Sequence, residues 1–529
     1  MKLTGNIFIT LLLALSLTGC KDFLEPNSKS EFVPKDATSL NELLLGEAYQ
    51  RNDMDGFNIF LSLLDDDVEA APYQKPNTGY NENKYLASYT WQPDMFEMME
   101  MASSGHINMY EKYYKVILGV NAVIDYLPLV NDTENMKNNV KAQAYALRGF
   151  YYFNLVNIFG QPYNYNPEAL AVPLKLHSGI EADETALKRK TVAEVYEQIL
   201  SDLHTAEECY ELLPTELQWQ PKYPTNLPMV QLMLSRTYLY MENWEKAAEY
   251  AKKLMDNSNF ELLDLNSVSS TSAEYMYYPT YDSPETIWTY GSPTDMFTWT
   301  CSEANTPNVN NDNKKMHAYF QASQGLKETF NEYDLRRDRY IIKVPTGTNI
   351  EGKDTTTAYM DMAYGKILVG TQYYLPSNKV DGHKVFGRCL RLSEAYLNYA
   401  EAQANIDGEG FNNAIEALNT LRENRFNPED IEYIGEDIDI ASKEELITFI
   451  KEERRRELCF EGHRWFDLRR WGMPEIKHIW HDSEKKSYEY TLKEKDLMYT
   501  IPIPNEAMQE NPQLVQNELS GKRTGTLLE

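Results

Sequence analysis

Between Arg454 and Gly472 the chain carries six arginines among Phe460, Trp465, Phe466, Leu468 and Trp471. Such a stretch can do three kinds of chemistry. Arginines interleaved with aromatics bind nucleic acid. Forked guanidinium groups hold phosphate or carboxylate by paired hydrogen bonds. Alternatively, the guanidiniums pair with the chain's own acids and stack on aromatic faces while the rings fill core. Glu452, Glu453, Glu457, Glu461 and Asp467 lie within reach on a helix, so local charge balance favours this third reading, a structural knot. Elsewhere the reactive signals are weak. His478 and His481 stand three apart, but no third ligand is placed by sequence, so no metal site is expected. Asp65-Asp-Asp67 and Glu452-Glu453 are acidic runs. A glycosidase needs two carboxylates about 5–10 Å apart across a cleft, and nothing in the sequence sets such a pair. No nucleophile elbow, phosphate loop or dinucleotide fingerprint occurs, so no catalytic residue and no cofactor are expected.

Charge narrows the choice further. The 529 residues carry a net charge of −29. That surface repels nucleic acid and anionic lipid but not a neutral ligand. Tyrosine outnumbers phenylalanine, 38 to 19, and suits half-wet contact surfaces because it joins a flat apolar face to a hydroxyl. Two loop-like regions concentrate such residues. The first, Tyr80 to Ile107, holds Tyr80, Tyr85, Tyr89, Trp91 and Asp94. The second, Tyr275 to Asn311, holds Tyr277, Tyr278, Tyr281 and Trp299 with several asparagines. Rings that stack on sugar faces beside Asn and Asp that take hydroxyls make a glycan site. Trp299, in a polar loop after Phe297, is the leading candidate contact. Trp91 divides evenly between contact and core, and Trp288, in a strand pattern, reads as core. Cys20, Cys209, Cys301, Cys389 and Cys459 show no metal or redox spacing, and the last four read as buried thiols.

Helices must carry these loops. Tyr113, Ile117, Val120, Ile124 and Leu127 form one helical face ended by Pro128. Lys141 to Phe159 is apolar on more than one face, as in a helix buried between neighbours. Thr191 to Glu194 is a capping box opening another helix. Met229 to Asp256 and Ser393 to Glu423 each read as a helical hairpin with the large and small residues of a tetratricopeptide repeat. With two helix pairs upstream they make an atypical solenoid of about four pairs, near 110–256 and 390–472. Residues 260–386 form a loop-rich insert in which Glu285 to Tyr290 alternates like a strand. The expected fold is mainly α, with an irregular loop and short-strand region packed on the repeats.

At the N-terminus, Lys2 precedes an apolar run from Ile7 to Leu17, too short to span a bilayer but suited to a signal peptide. Leu17-Thr-Gly-Cys20 resembles the bacterial lipobox, which makes Cys20 the lipidation site. Residues 1–19 then read as signal peptide, 20–31 as a flexible lipidated tether, and 32–529 as a single domain.

Four phrases carry a family resemblance. They are Arg454 to Gly472; Ile501-Pro-Ile-Pro-Asn-Glu506 with Asn511-Pro-Gln-Leu-Val-Gln-Asn517; Ala144-Tyr-Ala-Leu-Arg148 through Phe159-Gly-Gln-Pro; and Leu326 to Phe330 followed by Asp334-Leu-Arg-Arg-Asp338. In this order they resemble the SusD/RagB family of outer-membrane nutrient-binding lipoproteins. The resemblance implies a non-enzymatic protein with eight repeat helices and a sugar-binding arc near the residues before Tyr110. It also implies surface exposure after lipidation, with delivery of a captured oligosaccharide to a SusC-like TonB-dependent transporter. A RagB-like peptide ligand, or a lid with little affinity of its own, is the alternative on the same scaffold.

Overall fold

The computed structural model describes residues 34–51, 57, 60–70, 83–102, 108–179, 187–219, 222–268, 283–291, 320–346, 358–362, 388–482 and 486–528. Eight helices form the scaffold: α4 (Met109–Tyr126), α5 (Glu134–Phe159), α6 (Val192–Glu211), α7 (Leu227–Tyr240), α8 (Trp244–Met255), α9 (Leu392–Asn405), α10 (Gly410–Glu423) and α11 (Lys443–Leu458). Ahead of them lie α1 (Ala37–Glu47), α2 (Asn83–Tyr89) and α3 (Met95–Ala102), and α12 (Arg464–Arg470) follows. Each scaffold helix from α4 to α10 packs on the next in the series, and α11 returns onto α9.

Local sequence explains the boundaries. The Thr191 hydroxyl accepts from Glu194 N at 3.2 Å while the Glu194 carboxylate accepts from Thr191 N at 2.8 Å, so the capping box is formed. Asn226 caps α7 and Asn243 caps α8. Between the two, Glu242 at φ 59° makes the tight turn. α5 is buried on all sides from Ala146 onward, because α4 flanks it on one side and α6 on the other. Arg148 in its middle grips Asp202 of α6 with bonds of 2.8 and 2.7 Å. Trp288 is core at 1% exposure, its indole N–H donating to the Tyr223 carbonyl.

Strands are short. β1 (Val68–Ala70) pairs with β3 (Phe320–Ala322), and β2 (Thr286–Tyr290) pairs with β6 (Arg388–Arg391). β4 (Ile342–Thr346) pairs with β5 (Ala358–Met362), while β7 (Ile476–His481), β8 (Ser487–Leu492) and β9 (Thr526–Leu527) form a three-stranded sheet. All are antiparallel. Cys209, Cys389 and Cys459 are buried, whereas Cys20 and Cys301 lie outside the described residues. Among the described residues no helix is long and apolar enough to cross a membrane.

Candidate functional site

The arginines of the opening stretch are structural groups, four buried and two (Arg455 and Arg464) partly buried, but most of their partners are distant in sequence. Arg454 pairs with Asp467 at 2.8 Å and Arg456 with Glu453 at 2.9 Å, as local charge balance suggests. Arg470 takes both Asp467 and, on α9, Glu401. Arg464 and Arg455 instead reach back to Asp66, with Arg455 also on Asp67 at 2.8 Å. Arg469 meets no acid among the described residues; it donates to the carbonyls of Asn157 and Gly160 and so fastens α12 to the end of α5. Glu457 serves arginines outside the stretch: Arg336 at 3.0 Å, Arg391 at 2.6 Å and Arg425 at 2.9 Å. Burial alone would raise the Glu457 carboxyl, yet these three cations hold it well below the usual range. Arg336, in the Asp334 corner, is buried on Asp334, Glu453 and Glu457. Arg337 beside it is exposed. Arg336, Arg391, Arg425 and Arg454 are each no more than 1% exposed, so a ligand does not reach these four guanidiniums.

From that knot, Asp66 positions a second cluster. Arg464 binds both Asp66 oxygens, at 2.6 and 2.9 Å, and this fixes the turn that leads into β1. Behind the turn, His478 lies sandwiched between Tyr89 at 4.1 Å and Trp91 at 4.2 Å, both stacked. Its ring nitrogens face the carbonyls of Tyr89 (2.7 Å) and Asp65 (2.9 Å). Burial pulls the imidazole down to about 4 despite those contacts, so at neutral pH one of them is made without a proton. Trp91 has φ 50°, a left-handed conformation rare for a bulky residue. It is held there by its indole bond to Leu64 O at 2.9 Å and by Arg523, which donates to its carbonyl at 2.6 Å. His478 and His481 do not converge on a metal. They sit on one strand, where residues three apart point to opposite faces.

The SusD family profile matches residues 250–519, and a second profile, described as starch-binding associating with outer membrane, matches residues 22–239. This chain belongs to the SusD family. Among curated relatives, SusD-like protein P2 of Formosa agariphila is 27% identical over 68% of this chain and 70% of its own length. SusD-like protein P38 of the same organism is 24% identical over 88% and 92%. A SusD-like carbohydrate binding protein from Bacteroides vulgatus shares the fold with a TM-score of 0.65 at 20% identity, over 92% of this chain and 99% of its own. Surface glycan-binding protein A from Bacteroides uniformis does so at 0.62 and 20%, over 91% and 99%.

In this SusD-family chain the expected contact residues have different fates. Tyr80, Tyr277, Tyr278, Tyr281 and Trp299 lie outside the described residues. Trp91 is 0% exposed and Tyr85 2%. Neither offers a ring face to a ligand here, because the left-handed turn swings Trp91 onto His478 and α2 presses Tyr85 against Phe320. Asp94 is partly exposed and ion-paired to Lys522 at 2.6 Å. The two candidate regions nevertheless share a root. Residues 71–82 follow Ala70, residues 292–319 precede Phe320, and Ala70 and Phe320 are partners across β1 and β3. At that root stands an aromatic the sequence reading passed over: Trp480 is half-buried and tilts against Tyr89 and Phe320 at 6.0 and 6.4 Å. Ile476-Lys-His-Ile-Trp-His481 does not alternate cleanly, because Ile479 stands where a polar residue would, and this hid the face that Trp480 shares with His478.

Proposed function

We propose that the protein is a surface-exposed outer-membrane lipoprotein, anchored through Cys20, that binds a nutrient glycan and delivers it to a SusC-like TonB-dependent transporter. The observation that carries the binding site is the pairing of Ala70 with Phe320. It sets Ala70, from which the chain runs on toward Tyr80, against Phe320, to which the chain runs from Trp299, beside the partly buried Trp480. The aromatics and asparagines that the sequence places in the adjoining chain suit the apolar faces and hydroxyls of sugars. Family membership and the description of the N-terminal profile support an outer-membrane role. The carbohydrate-binding and glycan-binding names of the Bacteroides relatives support the ligand class. On this reading the protein acts by binding alone, which membership of the SusD family supports.

Affinity electrophoresis of the soluble chain, starting after Cys20, tests the reading. A set of plant, algal and host polysaccharides should contain at least one that retards the protein. Trp299→Ala and Trp480→Ala should each release that retardation, Trp480→Ala with some loss of stability because its ring also packs on Tyr89 and Phe320. Retardation unchanged in both variants overturns the placement; binding of peptides in place of any polysaccharide would turn the assignment to the RagB-like alternative.

A further inference from the structure

A cavity of about 260 Å³ opens among the loop after α5, the turn at residues 495–500 and the C-terminal segment. Its lining includes no residue of the β1–β3 root or of the arginine network. Arg189 lies in its floor, 7% exposed, donating to the carbonyls of Leu170 and Ala171 and to the Asn517 amide, each at 2.6 Å. These bonds hold the tail against the loop. Beside it, the Gln161 amide oxygen is buried and accepts from no described residue. A buried acceptor left in that state calls for a donor.

The cavity's backbone is held in an uncommon form. Five described non-glycine residues have positive φ, and two of them, Met473 (55°) and Lys495 (53°), line this cavity. They are joined by Lys495 N donating to Met473 O at 2.8 Å. Left-handed non-glycine residues persist only where the surroundings fix them, and they collect at ligand sites.

The lining also selects a class of ligand. Arg189 and Lys495 stand against Asp496 and Glu518, and the charges balance. Lys495 leans on Glu494 at 3.6 Å, and Asp496 is taken by Arg523 at 2.5 Å. Neither an anion nor a cation is favoured, whereas a ligand that both donates and accepts is. The mouth is apolar and aromatic: Tyr165 is 53% exposed, Leu170 43% and Leu497 36%. Ligand pockets generally run from about 300 to 1,000 Å³, so this one has room for a single ring.

We infer that this cavity is a second carbohydrate subsite that takes one neutral sugar ring, its face on Tyr165 and a hydroxyl donating to the Gln161 amide oxygen. The ligand class rests on the glycan reading above; the location does not. Saturation-transfer NMR of the full mature chain with free glucose, galactose, mannose and glucuronic acid reads it directly. At least one neutral hexose should receive saturation, and Tyr165→Ala should weaken it about ten-fold. Gln161→Leu, which keeps the volume and removes the acceptor, should weaken it as well. Tyr165 is half outside the fold and the Gln161 oxygen holds no partner, so both variants should unfold at the wild-type midpoint. Preference for glucuronic acid, no transfer to any neutral hexose, or equal transfer in both variants overturns the inference. Hexose transfer that depends on Tyr165, in a chain that retains no polysaccharide, would keep this subsite and remove the proposed function. Polysaccharide retention through Trp299 with no Tyr165-dependent transfer would do the reverse.

Discussion

Glu457→Gln isolates the claim that the arginine-rich stretch holds the fold rather than a ligand. The Glu457 carboxylate accepts from Arg336, Arg391 and both Arg425 donors at 2.6–3.0 Å, and from the Tyr340 hydroxyl at 3.1 Å. Around it Arg336, Arg391, Arg422, Arg425 and Arg456 face Glu285, Asp334, Glu453, Glu457 and Glu461, five charges of each sign. Glutamine keeps the shape, yet leaves one buried positive charge uncompensated and turns an amide N–H₂ toward guanidinium donors. Removing one member of a buried ion pair costs about 3–5 kcal/mol, whereas exchanging a whole network for apolar groups is often neutral. That loss is a large share of the roughly 5–15 kcal/mol that holds a folded domain together. Urea unfolding should show a lower midpoint at an unchanged slope, with polysaccharide retention of the folded fraction unaltered. An unchanged midpoint together with lost retention would refute the structural reading and make the cluster a ligand site.

Trp91→Ala should likewise unfold at lower urea, by about 3–5 kcal/mol, because its ring is enclosed and bonded to Leu64; loss of glycan retention at an unchanged midpoint would return Trp91 to the binding surface. Acid should destabilise the chain in two steps. His478 sits at about 4 in the fold against 6.5 as its ordinary value, so the unfolded chain binds more protons between those values and stability falls as pH drops through them, by about 3 kcal/mol in full. Below about 4.5 Glu401, Glu453 and Glu457 add to the fall; burial opposes ionisation in each, but the facing arginines hold them below the ordinary range. In His478→Gln the upper step should vanish from the urea midpoint measured across pH 4–7, and its persistence would count against His478 as the titrating group. Cys20→Ala should move the protein from the membrane fraction to the soluble one, and retention in the membrane would exclude lipidation at that residue.

Helices were legible because their signals are local. Thr191 and Glu194 are three residues apart and cap whatever else the chain does. The same logic carried the arginines only halfway. Counting acids near Arg454 to Gly472 revealed a neutral knot, but not that Arg464 crosses 398 residues to reach Asp66 or that Glu457 turns to arginines elsewhere. Charge balance is a property of composition, while pairing is a property of packing, and sequence carries only the first. Trp91 shows the same limit at the candidate site. A tryptophan in a polar loop resembles a ligand contact until a left-handed φ turns it inward, and what stabilises that turn is Arg523, brought close only by the fold. Trp480 is the opposite case, not singled out in sequence and brought beside Phe320 by the pairing of β7 with β8 and the contact of β7 with β1. Family signature and binding surface therefore separate for a physical reason. The phrases that mark the family consist mostly of buried groups tied together over long distances, so substitution within them costs the fold. The surface proposed here to choose a ligand belongs to loops outside that buried network, where binding residues generally concentrate.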